Sequence, residues 1–294
     1  MKKILITGKD GQVGWELRDL LSSIGTVYAY GREEMDLQDP NRIRKVMREV
    51  KPDIVVNAAA YTAVDRAEND QETAMAINGN AVGILAEESK KNRSLLIHYS
   101  TDYVFDGMKS LPYCEDDQPN PLNIYGKSKL EGEKAILAVG GSHLILRTSW
   151  VYGLRGKNFL LTMLKLGKEH KSLRIVGDQI GAPTWSRLLA EKTAEILRTS
   201  IDRKNEAELK GVYHISSAGS TSWFEFARAI FDLSLQEKPA LTKITSIDYP
   251  TPATRPQFSV LSNDKIRKEF DLEMPDWKES LECCLKVNLG TIQS

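Results

Sequence analysis

The sequence has little cysteine, with only Cys114, Cys283 and Cys284 in 294 residues. An odd number that includes an adjacent pair suits neither a disulfide framework nor a metal-binding knuckle, so the thiols read as structural and the compartment as a reducing cytoplasm. Charge of one sign is also missing, because forty basic residues face forty acidic ones. No global field then draws the protein to nucleic acid or to an anionic membrane surface. No apolar run approaches the ~20 residues that a membrane-spanning helix needs. The opening run Ile4-Leu5-Ile6 is cut by Gly8 and Asp10, too short for a signal-peptide core, and reads as a first strand. Repeats and low-complexity segments are absent. What remains is a soluble chain, 41% apolar, long enough for one large or two unequal lobes.

Short β-branched runs recur at Ile4–Thr7, Thr26–Tyr30, Ile54–Asn57, Leu95–Ser100 and Leu144–Thr148, separated by stretches of helical periodicity. Val13, Leu17, Leu20, Leu21 and Ile24 form one such apolar stripe. Further helices are expected over 41–50, 73–90 and 127–139. This alternation predicts an α/β fold, a doubly wound parallel Rossmann sheet. Past Thr148 the pattern loosens into a helix over 159–170, a strand at Leu173–Val176, a helix over 187–199 and a strand at Val212–Ser216. The last helix and strand are expected to rejoin the first sheet. Pro239, Pro250, Pro252, Pro256 and Pro275 punctuate an irregular tail. The expected division is residues 1–155 with 185–232 as the dinucleotide-binding domain, and 156–184 with 233–294 as a smaller α+β substrate-binding lobe.

Gly8-Lys9-Asp10-Gly11-Gln12-Val13-Gly14 follows the first strand and opens the first helix. Gly8 suits a tight turn, Gly11 lets the backbone approach a pyrophosphate, and Gly14 lets helix and strand pack closely. The helix N-terminus offers free N–H groups to the anion. Gly8, Asp10, Gly11, Gln12, Val13 and Gly14 are therefore candidate cofactor contacts. At the end of the second strand, Arg32 supplies a guanidinium near the expected 2′-phosphate position, which favours NADPH. Glu33 and Glu34 follow and could hold a ribose diol, which keeps NADH as the alternative. Asp36, Leu37, Ala59, Ala60 and Tyr61 lie on loops expected to reach the adenine and diphosphate.

Tyr125 and Lys129 stand four residues apart, on one face of a helix. A nearby cation lowers a phenol's pKa from ~10 and readies it for proton transfer, and Lys129 can also bond the nicotinamide ribose. Thr101 ends the fourth strand, where ligands bind in open α/β sheets, and its hydroxyl can face both a substrate oxygen and Tyr125. Thr101 also fits simple β-propensity, and Asp102 a turn-forming carboxylate. His98 and His214 lie in apolar strands and read as buried, hydrogen-bonded side chains.

The segments 8–14, Asn57-Ala58-Ala59-Ala60-Tyr61, Ser100-Thr101-Asp102-Tyr103-Val104-Phe105, Tyr125-Gly126-Lys127-Ser128-Lys129, Arg147-Thr148-Ser149-Trp150 and Asp178-Gln179-Ile180-Gly181-Ala182-Pro183-Thr184 together resemble the dTDP-4-dehydrorhamnose reductase family. That family lies within the extended short-chain dehydrogenase/reductases. The resemblance runs through Ala253-Thr254-Arg255-Pro256 and implies reduction of the ketone of dTDP-4-dehydro-L-rhamnose. It implies Tyr125 as proton donor, Lys129 as orienting cation and Thr101 as the third member. It also implies sugar-nucleotide contacts from Thr101, Asp102, Trp150, Asn158 and Arg255. Some members bind magnesium between subunits through glutamates. Here Glu16 remains but Arg187 stands where an acid is expected, so no metal is expected, and the chain is a monomer or a homodimer. The rivals are an epimerase or 4,6-dehydratase of the same superfamily and a non-catalytic regulatory subunit. A dehydratase follows its threonine with Asp-Glu, whereas Tyr103 follows Asp102 here. The intact Thr101, Tyr125 and Lys129 set argues against the regulatory subunit.

Overall fold

A computed structural model describes residues 1–202 and 209–292. Four β-α steps and a fifth strand open the chain: β1 (Lys2–Thr7), α1 (Gln12–Ser22), β2 (Gly25–Tyr30), α2 (Pro40–Val50), β3 (Ile54–Asn57), the short α3 (Val64–Ala67) and α4 (Gln71–Met75), α5 (Ala81–Asn92), β4 (Leu95–Thr101), α6 (Ile124–Val139) and β5 (His143–Thr148). There follow β6 (Val151–Tyr152), α7 (Phe159–Glu169), β7 (Ser172–Val176), β8 (Ile180–Gly181), β9 (Thr184–Trp185), α8 (Ser186–Asp202) and β10 (Lys210–His214). The chain ends with β11 (Thr221–Ser222), α9 (Trp223–Ser234), β12 (Ala240–Ile244), α10 (Asp264–Phe270) and α11 (Trp277–Ile292).

Six strands form one parallel sheet in the order β10-β5-β4-β3-β1-β2. The doubly wound sheet expected from the sequence is present, and β10 rejoins it as expected. The strand order reverses between β1 and β3, whose exits diverge and open the crevice where ligands bind in such sheets. Ile4 and Ile6 face the core under α1 and α8, while Leu5 faces a second core built on Ile43, Met47 and Leu85. Burial on both faces is why these strands read as continuous apolar runs rather than alternating ones.

The helix expected over 73–90 is not continuous. A π-helical turn at Ala76–Asn80 separates α4 from α5. It carries Asn78 inward, 1% exposed, where its side chain bonds both backbone groups of Tyr61 and the hydroxyl of Ser128. Helical periodicity alone does not reveal such a one-residue insertion. The fourth helix starts three residues earlier than expected, because Asn123 caps it by accepting from the N–H of Gly126 at 2.8 Å. Tyr125 and Lys129 therefore share one regular helix.

In the second lobe β7 pairs with β12 in parallel, a strand that the proline-rich tail had concealed. Helix α9 packs on α7, β7 and β12. One apolar core nonetheless runs from Leu17 and Leu21 through Tyr152 to Phe226 and Trp277, so the lobes share an interior.

Gly14 sets how closely α1 approaches the end of β1, since a Cβ there would lie 2.1 Å from the carbonyl oxygen of Gly8. Gly14→Ala is expected to destabilise the protein by about 1–3 kcal/mol through overpacking against rigid backbone. A melting temperature equal to that of the parent would refute this account of the turn.

Candidate active site

Gly8 adopts φ +74°, and a Cβ there would come within 2.8 Å of the Ala59 backbone, so the turn also sets the spacing between the exits of β1 and β3. No side chain caps the N-terminus of α1 at Gly11. The first-turn N–H groups, from Gln12 to Gly14, have no intrahelical acceptor and lie open to an anion. This glycine-walled cradle beside an uncapped helix fits the diphosphate of a nicotinamide dinucleotide.

The structure separates the residues proposed to read the ribose. Glu34 is taken, since it pairs with Lys9 and accepts from the N–H of Gly31 at 2.9 Å. Those bonds, Lys9 foremost, hold its carboxyl below the usual range. The Arg32 side chain stays 75% exposed, with only a 3.4 Å contact to Asp36. A free guanidinium beside an occupied carboxylate favours a 2′-phosphate over a bare diol. Asp10 lies at the same edge, its carboxylate next to Gly31. Leu37 turns its side chain into the core, so any contact from it is through its backbone. Ala59, Ala60 and Tyr61 are half-buried at the exit of β3. The Tyr61 hydroxyl donates to Asp70 at 2.9 Å.

Thr101 and Tyr125 come together at the carboxyl end of β4, and Lys129 reaches the same strand two and three residues before Thr101. The Thr101 hydroxyl donates to Asp102 at 3.1 Å and also bonds Tyr125. The expected effect of Lys129 on the phenol is not seen. Burial pushes Tyr125 up to about 12, opposed by the bond to Thr101. The Lys129 ammonium turns instead to the carbonyl of Tyr99, 2.6 Å away, and to Nε2 of His98 at 3.3 Å. Burial lowers Lys129 to about 8, opposed by Glu133. An ammonium 2% exposed must find acceptors, and the backbone carbonyl is the stronger one. Tyr125 is thus a protonated acid at neutral pH.

Glu133 and Arg147 form a bidentate pair at 2.7 and 3.0 Å beneath this group, each 3% exposed or less, and Ser100 donates to the same carboxylate. Sequence reasoning missed this pair, because the two residues lie on different elements and only the packing of α6 on the sheet joins them. Asp102 is 3% exposed, and burial pushes its carboxyl up to about 7.

A cavity of about 990 Å³ opens next to this group, walled by α7, β7, Trp223 and the segment 246–257. Thr101 and Tyr125 are not among its walls. Arg255 is, and links the two regions: it pairs with Asp65 at 2.7 Å and bonds Tyr103, whose ring meets that of Tyr125 edge-on at 5.7 Å. Trp150 takes φ +46° and stacks on Trp223, with centroids 3.4 Å apart. Trp223 is the ring that faces the cavity, and Trp150 backs it. Gly181 makes room, since a Cβ there would fall 2.4 Å from the Trp150 indole. Asn158 caps α7 and donates to Gln12 at 2.8 Å, which ties the cavity wall to the glycine turn. Arg187 pairs with Glu191 at 3.0 Å and also acts on the half-buried Glu16.

The family described as RmlD substrate binding domain matches residues 1–289. The chain belongs to the dTDP-4-dehydrorhamnose reductase family. It is 50% identical to the dTDP-4-dehydrorhamnose reductase of Burkholderia thailandensis over 293 residues, covering 97% of this chain and 98% of the relative. Identity to the Salmonella typhimurium reductase is 42%, with 94% of each chain covered. The crystal structure of the Bacillus anthracis reductase in complex with NADP superposes with a TM-score of 0.90 at 35% identity, covering 97% of this chain and 98% of that one. As a dTDP-4-dehydrorhamnose reductase family member, the chain is an NAD(P)H-dependent oxidoreductase.

Two outcomes are expected. Arg32→Ala raises KM for NADPH more than KM for NADH, and equal changes would remove Arg32 from cofactor discrimination. Asp102 titrates near pH 7 in the fold but near ~4 when unfolded. The folded state then binds more protons between those values, and stability falls as pH rises through that window. Asp102→Asn should flatten this part of the melting-temperature profile, and an unchanged slope would show that Asp102 ionises freely.

Proposed function

We propose that the protein reduces the C4 ketone of dTDP-4-dehydro-L-rhamnose to dTDP-L-rhamnose with NADPH, with NADH as the alternative, as the last step of dTDP-rhamnose synthesis. The observation that carries this reading is the protonated, half-buried Tyr125 bonded to Thr101, beside a glycine cradle and a cavity of nucleotide-sugar size. Bound at the cradle formed by Gly8 to Gly14, with Lys129 holding its ribose, the reduced nicotinamide supplies the hydride. Tyr125 then has one task, delivery of a proton to the carbonyl oxygen as negative charge develops there. A phenol near 12 gives up its proton only to a strong base. The alkoxide is such a base and the ground-state ketone is not, so proton delivery is confined to the reaction itself.

Thr101 bonds Tyr125 and holds the phenol in line with the carbonyl oxygen. The phenolate left behind accepts from the Thr101 hydroxyl. Asp102, uncharged or shared with Thr101, serves as a sugar hydroxyl partner. Arg255 meets the substrate from the cavity wall, while Trp150 and Asn158 shape that wall through Trp223 and α7. Tyr103 after Asp102 leaves no second acid for water elimination, which sets the reading against a dehydratase. No described helix is long and apolar enough to cross a membrane. We place the enzyme in the cytoplasm as a monomer or homodimer, without nucleic-acid or membrane partners.

The test is absorbance of the reduced nicotinamide with dTDP-4-dehydrorhamnose supplied by the preceding enzymes. One cofactor oxidised per sugar is expected, whereas an epimerase would give no net oxidation. Tyr125→Phe should bind NADPH as the parent does but lose turnover by about 10²-fold or more. Parent-like turnover in that variant would sink the assignment of the proton donor.

A further inference from the structure

Behind the reacting groups a row of polar side chains crosses the middle of the sheet. The register sets Thr7 beside Asn57 and Asn57 beside His98 in three adjacent strands. All three are at most 2% exposed. Apolar residues would fill this position as well, and buried polar groups are costly unless every one is satisfied. The row runs without a break from the residue before Gly8 to the ammonium of Lys129.

Each contact needs one donor and one acceptor, so the row can run in either of two directions, of which an ammonium at Lys129 permits one and a free amine, able to donate or accept, permits both. In the first, the Thr7 hydroxyl donates to Asn57 Oδ1 at 2.6 Å, and Asn57 Nδ2 donates to His98 Nδ1 at 2.9 Å. The single proton of the neutral ring then sits on Nε2, 3.3 Å from Lys129 Nζ. That N–H needs an acceptor, and an ammonium has no lone pair to offer. Only the free amine fits. In the second, the Asn57 amide is turned by half a turn: Nδ2 donates to the Thr7 oxygen, Oδ1 accepts from Nδ1–H, and the bare Nε2 accepts from the ammonium. His98 is neutral in both: burial holds its pKa well below the ordinary value, and in the second arrangement the Lys129 charge adds to this. The two arrangements differ by one proton, present on Lys129 Nζ in the second and released to solvent in the first.

We propose that His98 is a positioning residue for Lys129, exchanging tautomer with the charge on the lysine so that the row holds Nζ in place in both of its states. The proposal rests on the role given to Lys129 above. Its far end reaches the cofactor turn, since the N–H of Ala59 donates to the Thr7 hydroxyl oxygen at 3.4 Å. Ala59 is also the residue that limits Gly8. Of the other ionisable groups on the elements packed against Lys129, Glu133, neutralised by Arg147, and Tyr125 lie on α6 with the exposed Lys127, Glu131 and Lys134, Tyr99 lies on β4, and Asp102 and Tyr103 lie in the turn after it. The π-helical turn contributes none.

The proposal is tested on the nitrogen-15-labelled full chain by two-bond nitrogen–proton spectra of its four histidines, with and without NADPH. The titration runs from about pH 6 to about pH 9.5, to span the lysine transition. His98 Nε2 should be unprotonated at the acid end and protonated above the Lys129 transition near 8. A single tautomer throughout, or the same exchange in Lys129→Met, would overturn the proposal. These spectra need no substrate, so the tautomer result and the turnover of Tyr125→Phe fail or stand separately.

A kinetic comparison adds a second readout. His98→Gln places an amide where Nε2 stood and should keep kcat within about threefold, whereas His98→Asn reaches only the place of Nδ1 and should lose about tenfold with KM unchanged. Equal losses in both variants, in step with their melting temperatures, would reduce His98 to a structural role and overturn the idea.

Discussion

The Lys129 ammonium, held 2.6 Å from the carbonyl of Tyr99 inside the protein, constrains everything around it. A charge in such a place has to be met by fixed acceptors or it is given up. Here the acceptors are a strand carbonyl and an imidazole, both on β4, whose last residue is Thr101. The proposed orienting charge is thereby tied to the strand that ends in Thr101. Helix α6 cannot slide along the sheet without breaking these bonds, and the Glu133–Arg147 pair one turn further on pins it a second time. Tyr125 is held by the same two anchors.

The second constraint is the contact between the glycine turn and its surroundings. Gly8 and Gly14 bring α1 against the ends of β1 and β3 until no Cβ fits. The bond from Asn158 to Gln12 then joins that turn to the cap of α7, whose Phe159 lines the cavity, and the Arg255–Asp65 pair forms another part of the wall. Cofactor cradle and sugar pocket are thus two sides of one assembly with a shared core.

The glycine spacing, the strand runs and the Tyr125–Lys129 interval were legible in the sequence because they are local. Each depends on residues within about two helical turns, where backbone geometry dictates which side chains face together. The prediction that Lys129 would lower the phenol pKa was not met, since spacing on a helix says which groups share a face and nothing about which carbonyl lies nearer. Trp150 was rightly located at a strand end, but the ring that faces the cavity is Trp223, from a helix seventy residues on. Strand β12 was hidden because its partner β7 lies far away in the chain and neither run is long or strongly apolar.

By itself the sequence determined the class of fold and the place of the glycine turn, both set by short-range periodicity, and it proposed the reacting side chains from their residue chemistry. The tertiary structure alone decided the protonation states and the connections. It places Tyr125 near 12, Asp102 near 7 and Lys129 near 8, because burial and distant partners, not neighbours in the chain, determine how much a charge costs. It also lines up Thr7, Asn57 and His98, three residues scattered over ninety positions, into one row. Only the register of parallel strands can bring such residues side by side.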